Sequence, residues 1–122
     1  MKRTVPLRNN RDFQKVYKNG KFYAGRYIVV YSLYNRLSDN INRIGITASK
    51  KVGKSVRRNK IKRLIKENYR LMEAMIKTGH DIVFVIRNSE KLPDFYDIRR
   101  EMFFLLKKLL LLKEETCNCL KN

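Results

Sequence analysis

"SKKVGKSVRRNKIKRLIKENYR", Ser49 to Arg70, is followed a short distance on by "DIVFVIR", Asp81 to Arg87, and together these two stretches decide the fold. At about 100° per residue, Ile61, Leu64, Ile65, Met72 and Met75 fall on one side of a helix, while Asn59, Lys62, Arg63, Lys66 and Arg70 fall on the other. The spacing predicts a helix that is apolar inward and cationic outward, capped by Ser55 or a neighbour, with Gly79 just past its end. "DIVFVIR" is a nearly unbroken apolar run, the pattern of a strand covered on both faces in the middle of a sheet.

Upstream, "RYIVVYSLYN" and "NRIGITAS" are rich in β-branched and aromatic residues and read as neighbouring strands, with Lys21 to Ala24 as a weaker edge strand. Before them, Asn9 or Asn10 can cap a helix whose apolar face is Phe13, Val16 and Tyr17, and Gly20 can end it. Downstream, Asp94 caps a last helix, Asp97 adds negative charge to its first turn, and the pattern runs to about Glu115. With 122 residues, 43% of them hydrophobic, the expectation is one domain spanning residues 1–122 with frayed ends. The coarse order of elements is helix, two or three strands, helix, strand, helix, which puts the chain in the α/β class.

Lys and Arg number 29 against 11 Asp and Glu, a formal net charge of +18. Repulsion on that scale opposes compaction unless a polyanion is the usual partner, which puts nucleic acid first and an anionic membrane surface second. Basic residues near the N-terminus precede no apolar run, so no secretory signal is read. "MFFLLKKLLLL" is broken by Lys107 and Lys108 and falls short of the roughly 20 residues a membrane span needs. It is read as a core-facing helix rather than a membrane-surface one, and the expected location is the cytoplasm. Cys117 and Cys119 lack the further ligands of a structural zinc site and are read as free thiols.

The acidic residues are scattered and His80 is the only histidine, so side-chain catalysis is not expected. The basic helix carries the functional signal. From Lys50 to Lys66 there are nine basic side chains and no acidic one. A merely solvated helix mixes signs to gain i,i+4 pairs; this one keeps like charges adjacent, a cost that phosphate contacts offset through counterion release. Arg57, Arg58 and Arg63 add forked donors suited to phosphates and base edges. By the period of two, Tyr27, Val29 and Tyr31 share a strand face, beside which Phe13 and Tyr17 can pack. Such a cleft of rings either stacks unpaired bases or fills the core.

"SKKVGKSVRRNKIKRLIKE" resembles the protein subunit of bacterial ribonuclease P, whose basic helix carries an Arg-Asn-Arg motif entered through a Ser-Lys-Lys-x-Gly turn. "RDFQKVYKNGK", "RYIVVYSL" and "RIGITASKKVG" extend the resemblance over most of residues 8 to 115. The triplet here is Arg58, Asn59, Lys60, which keeps the third charge but not the fork of an arginine. The resemblance implies an α+β two-layer sandwich, α-β-β-β-α-β-α around a four-stranded mixed sheet, with a left-handed strand-helix-strand crossover around the basic helix. It also implies an RNA-based enzyme that removes the 5′ leader of precursor tRNA, with the RNA subunit and its magnesium ions doing the cutting. The RNA-subunit face would then comprise Lys50, Lys51, Arg57, Arg58, Asn59, Lys60, Lys62, Arg63 and Lys66. The leader cleft would comprise Phe13, Tyr17, Tyr27 and Tyr31. The expected partners are the ribonuclease P RNA and precursor tRNA, with no membrane and one copy of the chain per complex. A ribosomal or assembly RNA-binding protein without a catalytic complex is the alternative.

Overall fold

A computed structural model describes residues 4–35, 41–49 and 55–113. Lys50, Lys51, Cys117 and Cys119 lie outside the described residues. The elements run β1 (Thr4–Pro6), α1 (Asn10–Asn19), β2 (Lys21–Ala24), β3 (Ile28–Tyr34), β4 (Asn42–Ala48), α2 (Ser55–Met72), a 3-10 turn (Glu73–Met75), β5 (His80–Ile86) and α3 (Phe95–Lys108). The α/β class is the expected one. The sheet has five strands rather than four, in the order β1-β4-β5-β3-β2.

Strand β5 takes the centre, as its apolar run predicts, parallel to β4 and antiparallel to β3. It therefore separates β3 from β4, which are not neighbours as the sequence order leads one to expect. The strand that is apolar on both faces gains most from two flanking strands and two covering layers, and Ile82, Val83, Phe84 and Ile86 are all fully buried. The additional strand, β1, pairs parallel with the start of β4. It ends at Pro6, so β4 beyond Ile44 has no strand partner on that side among the described residues.

On one sheet face, Ile28, Val30, Ile44, Ile82, Phe84 and Ile86 meet Ile61, Ile65, Tyr69 and Met72 of α2 and Ile98, Met102, Leu105 and Leu106 of α3. Each such aliphatic side chain, fully buried, contributes about 1.5–3 kcal/mol. On the opposite face, α1 covers a smaller cluster in which Val16 and Val83 pack with Phe13, Tyr17, Tyr31, Leu33 and Val85. Tyr27 precedes β3 and is 6% exposed within the larger cluster, on the α2 and α3 side. It does not share a face with Tyr31, a correction to the expected cleft: the strand period starts at Ile28, and Tyr27 lies outside it.

Two ends are set by specific bonds. Asn9 caps α1 by accepting the Arg11 N–H at 2.9 Å, and Asp94 and Asp97 form a reciprocal capping box at α3. Bonding to the Asp94 N–H holds the Asp97 carboxyl below its usual pKa. Helix α3 stops at Lys108 rather than continuing to about Glu115. There the Leu111 N–H reaches back to the Leu106 carbonyl and the Leu110 N–H to that of Lys107, both at 3.0 Å, a Schellman motif with Leu110 at φ 60°. Leu111 and Leu112 then turn inward, and Leu112 bridges Ile76.

Candidate nucleic-acid interface

Helix α2 displays Arg58, Asn59, Lys60, Arg63, Lys66 and Arg70 to solvent, as the helical period predicts, with Lys62 half-buried. Its first turn holds no acidic residue, so cations crowd the positive end of the helix dipole. Arg58, Lys62 and Lys66 follow one another at i,i+4, each neighbour repelling the next. Arg57 is placed differently from the expected RNA-facing set. Its guanidinium donates to the Ser89 carbonyl and, at 3.1 Å, to that of Lys91, which ties the start of α2 to the loop after β5.

Across the sheet, a row of rings starts on α1. Phe13 lies over Gly45 of β4, where a Cβ would run into the ring; only glycine permits that approach. The Phe13 and Tyr17 centroids are 6.3 Å apart, and Tyr17 meets Tyr31 edge to face at 5.0 Å and 76°. Burial, with Tyr31 adding to it, raises the Tyr17 pKa, so its hydroxyl stays neutral. An ion pair fixes α1 against the sheet. Arg43 of β4 forks onto Asp81 of β5 at 2.5 and 2.8 Å and reaches Asp12 of α1 at 3.1 Å.

The row continues to a residue that the sequence pattern alone does not single out. Phe22 of β2 lies directly across from Tyr31, and the two rings stack at 5.2 Å and 27°. The signal is present in the weak edge strand Lys21 to Ala24, but only the observed register pairs Phe22 with Tyr31.

The basic helix and the ring row are not separate surfaces. A groove of about 370 Å³ runs along the β1 and β4 margin of the sheet and is lined by β1, by Phe13 of α1, by Gly45 and Ile46 of β4 and by Lys62 and Lys66 of α2. A second groove, of about 400 Å³, shares Arg8, Phe13 and Ile46 with it and extends to Gln14 and Tyr17. A polyanionic strand laid along this path meets lysines at one end and aromatic faces beyond them, the combination that single-stranded nucleic acids require. His80 is remote from it, half-buried on Tyr34, with its pKa lowered chiefly by that burial. Among the described residues no group of His, Cys, Asp and Glu could hold a metal ion, and no helix is long and apolar enough to cross a membrane.

Fold and surface are thus those of a small basic α/β protein suited to single-stranded nucleic acid. The sequence profile of the family described as Ribonuclease P matches residues 1–110, and the chain belongs to that family. It is 50% identical over 103 residues to the ribonuclease P protein component of Clostridium botulinum strain Loch Maree, covering 84% of this chain and 91% of that one. It is 48% identical over 107 residues to that of Clostridioides difficile strain 630, covering 87% and 92%. The structure of the Staphylococcus aureus RNase P protein superposes with a TM-score of 0.79 at 36% identity, over 88% of this chain and 97% of that one. The RNase P protein from Thermotoga maritima, in complex with 1-(4-fluorophenyl)-2-thiourea, gives 0.72 at 37%, over 84% and 97%. The ribonuclease P protein component is part of an endoribonuclease complex of tRNA processing, a ribonucleoprotein, which implies an RNA subunit as partner.

Proposed function

We propose that this chain binds the catalytic RNA through α2 and the 5′ leader of precursor tRNA through the groove between α1, β4 and α2, assisting 5′ maturation without contributing a catalytic side chain. Arg58, Asn59, Lys60 and Arg63, with Lys50 and Lys51 before them, face the RNA subunit. Lys62 and Lys66 serve the boundary between the two RNAs. Phe13, Tyr17 and Tyr31 hold the single-stranded leader. Magnesium belongs to the RNA components in this reading. The chain acts as one copy per complex, in the cytoplasm.

The observation that supports this best is the row of rings from Phe13 through Tyr17 to Tyr31, whose first member, Phe13, lines the same groove as Lys62 and Lys66. The test is reconstitution with a ribonuclease P RNA transcript, comparing leader-bearing with mature tRNA. Tyr31→Ala should cost about 1–3 kcal/mol in affinity for precursor tRNA and leave mature tRNA unchanged. Equal losses for both substrates would remove the leader from the groove. Failure of the protein to lower the magnesium needed for cleavage would favour a general RNA-binding role.

A further inference from the structure

We propose that Phe22 on β2 is an additional base-stacking subsite, which lengthens by one nucleotide the single-stranded RNA that the chain reads; this rests on the groove being a leader site. Three observations carry it. Phe22 is 57% exposed although its ring stacks on Tyr31, so one face is used within the protein and the other is open to solvent. It continues an existing row, with successive centroid separations of 6.3, 5.0 and 5.2 Å from Phe13 through Tyr17 and Tyr31 to Phe22. Its neighbour Tyr23, by strand alternation, turns to the opposite face, where the Lys108 ammonium lies 5.7 Å from its ring centroid. Phe22 is therefore the ring of β2 that faces the α1 side.

An isolated exposed phenylalanine means little. Here the surroundings select the ligand. Exposed Lys15 and Lys18 on α1, the helix that covers this face of the sheet, would be stranded beneath an apolar protein partner but match a phosphate backbone. A flat ring with one free face takes any nucleobase, so the subsite adds affinity and reach without base identity. Among the described residues, edge strand β2 has β3 on one side only, which leaves the ring approachable from the sheet margin.

The experiment uses the full chain and single-stranded oligoribonucleotides of stepped length carrying 2-aminopurine at successive positions. Binding is compared for the unaltered protein, Phe22→Ala, Phe22→Trp and Tyr31→Ala. Phe22→Ala should weaken binding roughly tenfold, and only for oligonucleotides long enough to reach the subsite. One 2-aminopurine position should lose its quenching in Phe22→Ala and keep it in Phe22→Trp, while thermal unfolding stays unchanged. A loss independent of length would show that Phe22 merely props Tyr31 and would overturn the subsite. No loss with Phe22→Ala, while Tyr31→Ala weakens binding, would likewise overturn it and leave the groove standing. No effect of either variant would remove the groove as a ligand site and the subsite with it.

Discussion

Arg57 and Arg58 are adjacent in sequence and opposite in role. The first donates to the half-buried Ser89 carbonyl and the exposed Lys91 carbonyl, so Arg57→Ala should lower stability by about 0.5–1.5 kcal/mol while leaving RNA affinity nearly unchanged. The second is exposed, so Arg58→Ala should not lower stability and should reduce the log-log salt slope of RNA binding by about 0.7 to 0.9, the share of one phosphate. Denaturant melts and salt titrations on the two variants separate these outcomes, and reversed results would exchange the assignments. His80 gives a pH dependence. Burial, with Lys77 adding to it, lowers its pKa from the ordinary 6.5, against the opposing pull of the Thr78 carbonyl and Asp81. The folded state therefore accepts a proton less readily than the unfolded chain. Its contribution is complete above pH 6.5 and declines as pH falls towards the lowered value. Stability should drop as pH falls below about 6.5, and His80→Gln should flatten that drop.

At the scale of elements, the end of α3 is instructive because its geometry wants a glycine and has a leucine. Leu110 is 73% exposed at φ 60°, where an L-residue costs about 1–2 kcal/mol. Glycine removes that cost and returns roughly 0.5–1 kcal/mol as chain entropy, so Leu110→Gly should stabilise the domain by about 0.5–1 kcal/mol in thermal or denaturant melts. A destabilised variant would show that the turn is held by leucine packing instead. The same turn explains what the sequence could not disclose. Asp94 and Asp97 announce the start of α3 through local bonds, whereas its end carries no local stop signal and is fixed by Leu111, Leu112 and Ile76 meeting across the fold. Strand β1 escapes a sequence reading for a like reason. Three residues ending in proline have no strand pattern of their own, and Thr4 is held by the Tyr69 hydroxyl at 2.8 Å. The cationic face of α2 is legible because a helix period is a local property. The joining of Lys62 to Phe13 is not, since it depends on β1, β4, α1 and α2 meeting around one groove.

Over the whole molecule, a net charge of +18 on 122 residues sets stability against function. The i,i+4 series Arg58, Lys62, Lys66 costs about 0.2–0.5 kcal/mol per like-charged pair, and the positive helix terminus adds to it. Neutralising the series as Arg58→Gln, Lys62→Gln and Lys66→Gln should therefore raise the melting temperature of the free protein at low salt. The gain should shrink as salt screens the repulsion, because the Debye length falls to about 8 Å at physiological ionic strength. Affinity for the RNA subunit should move the other way, with the salt slope reduced by about 0.7 to 0.9 for each phosphate that is no longer neutralised. RNA should also stabilise the unaltered protein more than the variant, since a ligand that binds only the folded state raises its stability by mass action. Melting curves at two salt concentrations, with and without the RNA transcript, measure all of these quantities together. A variant that melts lower than the unaltered protein at low salt would show that the Lys62 stem packs more than its charge repels. A variant that keeps its RNA affinity and salt slope would show that this face of α2 meets only solvent.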